Sequence, residues 1–537
     1  MAGLDQFCER IAASCCLREM ASNAETILRA RQLHQDGQLQ AAFALCAEAL
    51  RTDARNFDIL YLAGLIAAQL GLSDMAVERF DQALGVDPGN AAAHCNKAVA
   101  LQNLKRWDAA LASCDAAIRI KPDYALALNN RGNVLVELRR WEEALECYNQ
   151  AIMARPDYVP AHFNRANALQ SLQKYEAAVL GYDTALALSP DYAQAHSNRG
   201  AALSALNRLT EALASFDAAV ALQPDLAEAH FGKAITLLLN GHLPAGWAEY
   251  EWRPQSVGNY QKPRWQGEES IAGKKLLLYC ERGLGDTLQY CRYAKLASDL
   301  RATVILQVQE PLLAVLENLA GVTQLIGMRA SLPEYDYHCP LLSLPFVFRT
   351  PLESIPAARR YLQADPARVA YWHKRLALKP NVRIGLVWRG DSDNRDDTKR
   401  SIRLAELLPM LPTQLQFVSL QKDISASERT ALEAYPSASI LSDELNFPDT
   451  AAVCDCLDLV ISVDTSVAHL SGALGKRTWI LLPFNPDCRW LLNRADSPWY
   501  PSVKLYRQPV MNDWHTVLKR IADDLRQEFI EPSRGSL

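Results

Sequence analysis

Three short stretches of this chain set acids, cations and hydroxyls beside glycine, the mixture that proton transfer and anion binding use. The first is Gly283-Leu284-Gly285-Asp286-Thr287. Asp286 there could accept a proton or, with Gln289 three residues on, cap a helix start. The second is Trp388-Arg389-Gly390 with the basic run that ends Lys399-Arg400-Ser401. Its cations and hydroxyl suit a diphosphate. Asp391, Asp393, Asp396 and Asp397 offset that charge, so a solvated loop is the other reading. Trp388 could stack on a base, wall a cleft or pack in the core. The third stretch is Asp464-Thr465-Ser466, which opens VDTSVAHLSGALG and includes His469. Free N–H groups at a helix start favour an anion there. Asp464 could instead be the N-cap, and a carboxylate would compete with phosphate. No metal is expected: Asp391-x-Asp393 has a metal-type spacing but lies in the basic loop, and Cys454-Asp455-Cys456 has no second pair to complete a zinc set.

Each stretch follows an apolar run: KKLLLYC, VRIGLVW and LDLVISV. Apolar run, glycine turn and amphipathic stretch alternate through ATVILQV, LQFVSLQ and RTWILLP, which is the pattern of parallel α/β units. The spacing predicts two such lobes, 275–380 and 381–528, joined near 365–381, with a tail at 529–537. Ligands of these sheets bind at the carboxyl ends of strands, so a cleft between the lobes is the expected site.

The first half is built differently. Pro88, Pro122, Pro156, Pro190 and Pro224 fall 34 residues apart. Gly64, Ala98, Gly132, Ala166 and Gly200 share one register, as do Ala76, Ala110, Ala144, Ala178 and Ala212. Phe80, Cys114, Tyr148, Tyr182 and Phe216 share a third. Small residues where helices cross, an aromatic in the second helix and a closing proline resemble the tetratricopeptide repeat. The resemblance covers 23–253, with a degenerate first unit carrying Ala54 in the proline's place. An N-terminal helical segment, 1–22, precedes it, and a Pro/Gly-rich linker, 254–274, follows. The fold class is thus an all-α repeat superhelix followed by an α/β half.

Asn96, Asn130, Asn164 and Asn198 recur at one position of the first helix of successive units. Asparagine is a mediocre helix former, so its repetition needs a compensating role. The amides either read the peptide groups of an extended chain or bond to the neighbouring repeat and set the superhelical pitch. A similar ladder is known in O-linked N-acetylglucosamine transferases, and that resemblance favours peptide binding. His94, His162, His196 and His230 lie in different units, cannot converge on a metal, and are read as packing residues. Arg131, Arg165 and Arg199, with Lys97 and Lys233, are read as a solvated or inter-repeat charge row.

Composition narrows the class. A net charge of −5 with both signs mixed leaves no nucleic-acid footprint. No apolar run reaches the roughly 18–20 residues of a membrane span, and the start lacks a signal-type apolar core. Thirteen scattered cysteines without a disulfide framework suit a reducing cytoplasm.

The stretches ERGLGDTLQYCRYA, GLVWRG with KRSI, FVSLQKD and LVISVDTSVAHLSGALGKRTWILLPFNPDCRWLLNRADSPWY resemble glycosyltransferases of the two-lobed GT-B fold, in particular the heptosyltransferase-like family and its repeat-bearing relatives. The resemblance implies inverting, metal-independent transfer from a nucleotide sugar held mainly by the C-terminal lobe. Carried over by position, Asp286 is the base for the acceptor hydroxyl, with Gly285 beside it on the acceptor side. Asp464, Thr465, Ser466 and His469 cradle the donor, Ser466 standing where heptosyltransferases usually show Gly. Lys399 or Arg400 meets the phosphates, and Trp388, Arg389 and Gln421 complete the donor side. The combination implies sugar transfer to Ser or Thr of a protein acceptor held by the repeats, flagellin being one such acceptor. The alternatives are transfer to a glycan or lipid-linked acceptor and a non-catalytic repeat adaptor.

Overall fold

The computed structural model describes residues 25–254, 260–376, 382–390, 397–441 and 445–531. The expected segment 1–22 and the acids Asp391, Asp393 and Asp396 lie outside those residues. Thirteen consecutive helices run from Leu39–Thr52 to Leu243–Tyr250. Within a repeat, a helix such as Ala91–Asn103 is followed by one such as Trp107–Ile120. The two compact units of the chain divide after Leu203, inside the helix Ala193–Ala205.

In the first unit, the small and aromatic registers meet where the sequence places them. A Cβ on Gly64 would fall 2.6 Å from the Phe80 ring, and one on Gly132 would fall 2.5 Å from Tyr148. Only a residue without a side chain lets these helices cross so closely. The basic row pairs with acids sixteen residues back: Lys97 with Asp81 at 2.6 Å, Arg131 with Asp115 at 2.7 Å, Arg199 with Asp183 at 2.6 Å. It is an inter-repeat charge row. Each histidine closes a turn, His94, His162 and His196 reaching the carbonyls of Pro88, Pro156 and Pro190 at 3.1, 2.8 and 3.0 Å. A carbonyl only accepts, so the ring nitrogen donates.

The turn between the two helices of a repeat has a backbone signature that the apolar pattern does not carry. Gly37, Gly71, Lys105, Arg139, Gln173, Asn207 and Gly241, again 34 apart, all have positive φ, between 55° and 85°. Three of the seven are glycine, the residue for which this conformation costs nothing.

In the second unit, helices Leu209–Leu222, Ala227–Leu239 and Leu243–Tyr250 lead into two parallel sheets. One holds β1 (Lys275–Tyr279), β2 (Thr303–Val308), β3 (Gln324–Gly327) and β4 (Tyr337–Pro340) in the order β3-β2-β1-β4. The other holds β5 (Arg383–Val387), β6 (Gln416–Ser419), β7 (Ala438–Ile440), β8 (Leu459–Val463), β9 (Thr478–Leu482) and β10 (Val503–Arg507) in the order β10-β9-β8-β5-β6-β7. Every pairing is parallel, for example Leu277 with Ile305 and Ile384 with Leu459. Counted from its own first strand, the second sheet reads 6-5-4-1-2-3, the doubly wound Rossmann order, and the first reads 3-2-1-4. The winding order reverses between β1 and β4 and between β5 and β8, and a crevice is expected at the carboxyl ends of those strands.

The repeat pattern runs to Tyr250, yet its last helices belong to this second unit. Leu238, Leu239, Leu243, Trp247 and Tyr250 share one buried cluster with residues of both sheets. The Trp247 ring meets Tyr290 and Trp499 edge-on, with centroids 6.3 and 6.4 Å apart. Arg253, whose side chain is wholly buried, pairs with Glu281 at 2.7 Å and Glu251 at 2.9 Å. Asn485 donates to Ser204 and Asn207, tying a repeat turn to the loop after β9.

Candidate functional site

The turn after β1 leads into the helix Leu284–Tyr290, whose N-cap is Gly283 without any side-chain cap bond. Asp286 therefore does not cap this helix; its Oδ1 accepts from Arg489 Nη2 at 2.7 Å. The segment after β8 behaves alike. The helix Ser466–Ala473 has Thr465 as its N-cap, again with no side-chain cap bond, while the Thr465 hydroxyl lies 3.0 Å from that of Ser462. Asp464 turns instead toward His469, 3.6 Å away. The helix start thus keeps its N–H groups clear of side-chain acceptors, as an anion site requires.

These segments belong to different sheets and meet. A Cβ on Gly285 would come within 2.7 Å of His469 Cδ2, so the glycine is what lets the two helices approach. Between them stands Arg489, in the loop after β9. It reaches Gln289 Oε1 at 2.9 Å, His469 Nε2 at 3.2 Å, and Asp487 at 2.8 Å through Nε. An arginine has only donors, so His469 Nε2 must accept, and its Nδ1–H donates to the Tyr500 hydroxyl at 2.9 Å. At 3.6 Å the Asp464 approach is too long for a hydrogen bond.

Electrostatics match a neutral ring. Burial pushes the His469 pKa down, Asp464 only partly countering it, so the ring is neutral. Burial alone would raise Asp464, but it lies below the usual range, the Arg489 charge helping to hold it there. Burial would also raise Asp487, and the Arg489 charge and hydrogen bonds bring it to about 2. Burial opposes the Arg489 charge, yet Asp487, Asp286 and Asp464 together push its pKa well up.

Other expected site residues line the end of β5 and β6, some in roles the sequence did not show. Trp388 is fully buried, and its indole N–H donates to Glu428 at 2.7 Å. It is a core side chain and offers no face to a ligand, a correction to its place on the donor side. Gln421, also buried, accepts from the backbone N–H of Trp388 and Arg389 at 3.2 and 3.1 Å and so splints the strand end. Arg389 is held by Glu428 at 3.3 Å and by the Asp423 carbonyl. Arg400 folds back on the buried Asp397 at 3.1 Å, and Lys399 is exposed. An open recess of about 500 Å³, lined by Arg360, His373, Lys374 and Asp455 among others, includes none of the expected residues.

The four asparagines lie in the first unit. Their amide nitrogens donate to the preceding repeat: Asn96 to the Tyr61 hydroxyl at 2.7 Å, Asn130 to Cys95 Sγ at 3.4 Å, Asn164 to Asn129 at 3.0 Å and Asn198 to Asn167 at 2.9 Å. Asn130 is only 6% exposed. This geometry favours the repeat-spacing alternative of the two readings.

Sequence reasoning missed Arg489, Asp487 and Tyr500. Their loops follow apolar strands, which marks them as site-facing, but nothing local ties Arg489 to an aspartate 203 residues earlier.

Comparison with known proteins bears mainly on the first half. A tetratricopeptide repeat model matches 61–125 and 197–250, and a second TPR repeat model matches 132–173 and 166–207. Protein FlbA of Caulobacter vibrioides is 27% identical over 327 residues, 55% of this chain and 54% of FlbA. The chain thus spans about half the length of that curated relative. Among solved structures, MamA is 22% identical, with a TM-score of 0.29, over 31% of this chain and 96% of its own. A tetratricopeptide repeat protein of Parabacteroides merdae is 17% identical, with a TM-score of 0.38, over 43% of this chain and 91% of its own. Pseudomonas aeruginosa PilF is 18% identical, with a TM-score of 0.36, over 39% and 96%. No helix among the described residues is long and apolar enough to cross a membrane. The repeats within residues 61–250 are tetratricopeptide repeats.

Proposed function

We propose that this chain is an inverting, metal-independent glycosyltransferase of GT-B type whose repeats bind a polypeptide acceptor in the cytoplasm. One observation carries the reading: the turn bearing Asp286, at the switch point of one sheet, packs on the Asp464–His469 segment at the switch point of the other. An acceptor and a donor brought to the two strand ends would meet there. In the step, the acceptor hydroxyl oxygen forms a bond to the anomeric carbon, and its proton passes to Asp286. The bond from that carbon to the diphosphate breaks, and its electron pair leaves with the nucleotide. The uncapped N–H groups at Ser466 would neutralise the leaving charge, and the cations Arg389, Lys399 and Arg400 would join them on leaving their present partners.

The test uses the full chain. Thermal shift against UDP, CMP, ADP and GDP sugars should single out one donor. Intact-mass analysis with that donor should then show a sugar added to an unfolded Ser/Thr-rich polypeptide or to flagellin. Asp286→Asn should keep the donor shift and lose about 10²- to 10⁴-fold in transfer rate. An unshifted melting curve with every donor, or an unimpaired Asp286→Asn variant, would sink the proposal.

A second reading, a non-catalytic repeat adaptor, has one observation in its favour. Asp286 and Asp487 pair with a single arginine and Asp464 adds its charge nearby, a corner that is net negative where a diphosphate would sit. It predicts that no nucleotide sugar binds.

A further inference from the structure

Arg489 uses all three of its nitrogens, and its partners come from three separate segments. Nε reaches Asp487 Oδ1 at 2.8 Å in its own loop. Nη1 reaches Gln289 at 2.9 Å on the helix after β1 and His469 at 3.2 Å on the helix after β8. Nη2 is shared by Asp286 at 2.7 Å and Asp487 Oδ2 at 3.2 Å. A planar guanidinium held at this many points cannot rotate without breaking several charge-assisted bonds. It engages one oxygen of Asp286 only. Among the described residues, no hydrogen bond reaches Asp286 Oδ2, and the side chain keeps 18% of its surface exposed.

We infer that Arg489 is the positioning residue for Asp286, fixing Oδ1 so that Oδ2 is the oxygen presented to the acceptor hydroxyl. The inference rests on the glycosyl transfer proposed above. A proton acceptor displaced by about 1 Å costs on the order of 10²-fold in rate, which is why a fixed carboxylate matters. The neutral His469 belongs to the same device: a protonated ring would have no lone pair for Arg489 and would repel it. During transfer the acceptor proton moves to Oδ2, the acceptor oxygen bonds to the anomeric carbon, and the nucleotide leaves with the electron pair of the broken bond. Arg489 itself exchanges no proton and touches no reacting atom.

A double-mutant cycle tests this with the full chain: wild type, Asp286→Asn, Arg489→Met and the pair, with Arg489→Lys as the conservative variant. Arg489→Met is expected to lower kcat about 10²-fold, with donor and acceptor KM within about threefold of wild type. In the Asp286→Asn background the same change should cost less than about threefold, because a positioner has nothing left to position. Arg489→Lys should recover part of the loss. Additive losses in the double variant, or an Arg489→Met enzyme with wild-type kcat, would overturn the inference while leaving glycosyl transfer standing. A wild-type chain that transfers no sugar from any donor overturns both. Should Arg489→Met fail to fold, the cycle is run with Arg489→Lys, which keeps the buried charge, and its smaller kcat loss should likewise vanish in the Asp286→Asn background, additive losses again overturning the inference.

Discussion

Glu428 accepts hydrogen bonds from the Trp388 indole at 2.7 Å, from the Ser425 backbone and hydroxyl at 2.9 and 2.8 Å, and from Arg389 at 3.3 Å. Burial alone would raise this carboxyl, but the converging donors win and hold it at about 2. Its value in an unfolded chain is about 4.3. The folded pKa is therefore the lower one, and the stability it brings is present above about pH 4.3 and disappears as pH falls toward 2. Solvent at its exposed edge reduces the contribution to about 1–2 kcal/mol. Glu428→Gln should lose about that much at pH 7 and show a flatter decline between pH 4.3 and 2. Urea unfolding at pH 7, 4 and 3 measures this, and parallel acid profiles for the two proteins would refute it. Such pairings were only partly legible in the sequence. Asp286 and Asp464 each looked like local caps because a cap has a short-range signature. Asp464 turns toward His469 only five residues on, but the partner of Asp286, Arg489, is set by how the two sheets pack, and a separation of 203 residues leaves no periodicity to read.

At the scale of elements, the helix pairs were legible because packing imposes a strict register. A larger side chain at Gly132 would collide with Tyr148, so the pattern cannot drift. The turns between paired helices were less legible, since only Gly37, Gly71 and Gly241 announce them, while Lys105, Arg139, Gln173 and Asn207 adopt the same left-handed backbone. The physical reason is the small size of the penalty, about 1–2 kcal/mol for a residue with a Cβ, which a stacked array can absorb at single positions. Gly71 isolates the effect, because nothing lies within 4 Å of a Cβ built there. Gly71→Ala should destabilise the first unit by about 1–2 kcal/mol through backbone strain alone. Arg139→Gly should stabilise it by about 0.5–1 kcal/mol, the relieved strain less the entropy of glycine. Both are read from the urea midpoint followed by helical signal. A neutral Gly71→Ala would show that the turn does not select for glycine. Six strands, β1, β2, β5, β6, β8 and β9, were legible as apolar runs, whereas the edge strands β3, β4, β7 and β10 were not, and neither was the order β10-β9-β8-β5-β6-β7, because the choice of neighbour leaves no mark on an individual strand.

For the whole molecule, the division after Leu203 changes what a truncation means. A cut at the Pro/Gly-rich stretch 254–274 would look natural from the sequence, and survival of activity after losing 1–253 would argue for an acceptor that needs no repeats. That cut removes Leu238, Leu239, Leu243, Trp247 and Tyr250 from the cluster they share with both sheets. It also removes Arg253 and leaves Glu281, whose side chain is 3% exposed, without its buried partner. Breaking a buried pair in this way costs about 3–5 kcal/mol, and emptying the Trp247 site alone costs a similar 3–5 kcal/mol. Together these rival the entire stability of a domain, about 5–15 kcal/mol. A fragment of residues 204–537 should therefore melt in one cooperative transition, whereas 260–537 should aggregate or lack one. In the full chain, Trp247→Ala should lower the melting point of the second unit without moving that of the first. Calorimetry distinguishes the outcomes. A cooperative 260–537 fragment would show that the last repeat helices are an attachment rather than part of the α/β core, and the original cut would again be the proper test of what the repeats contribute.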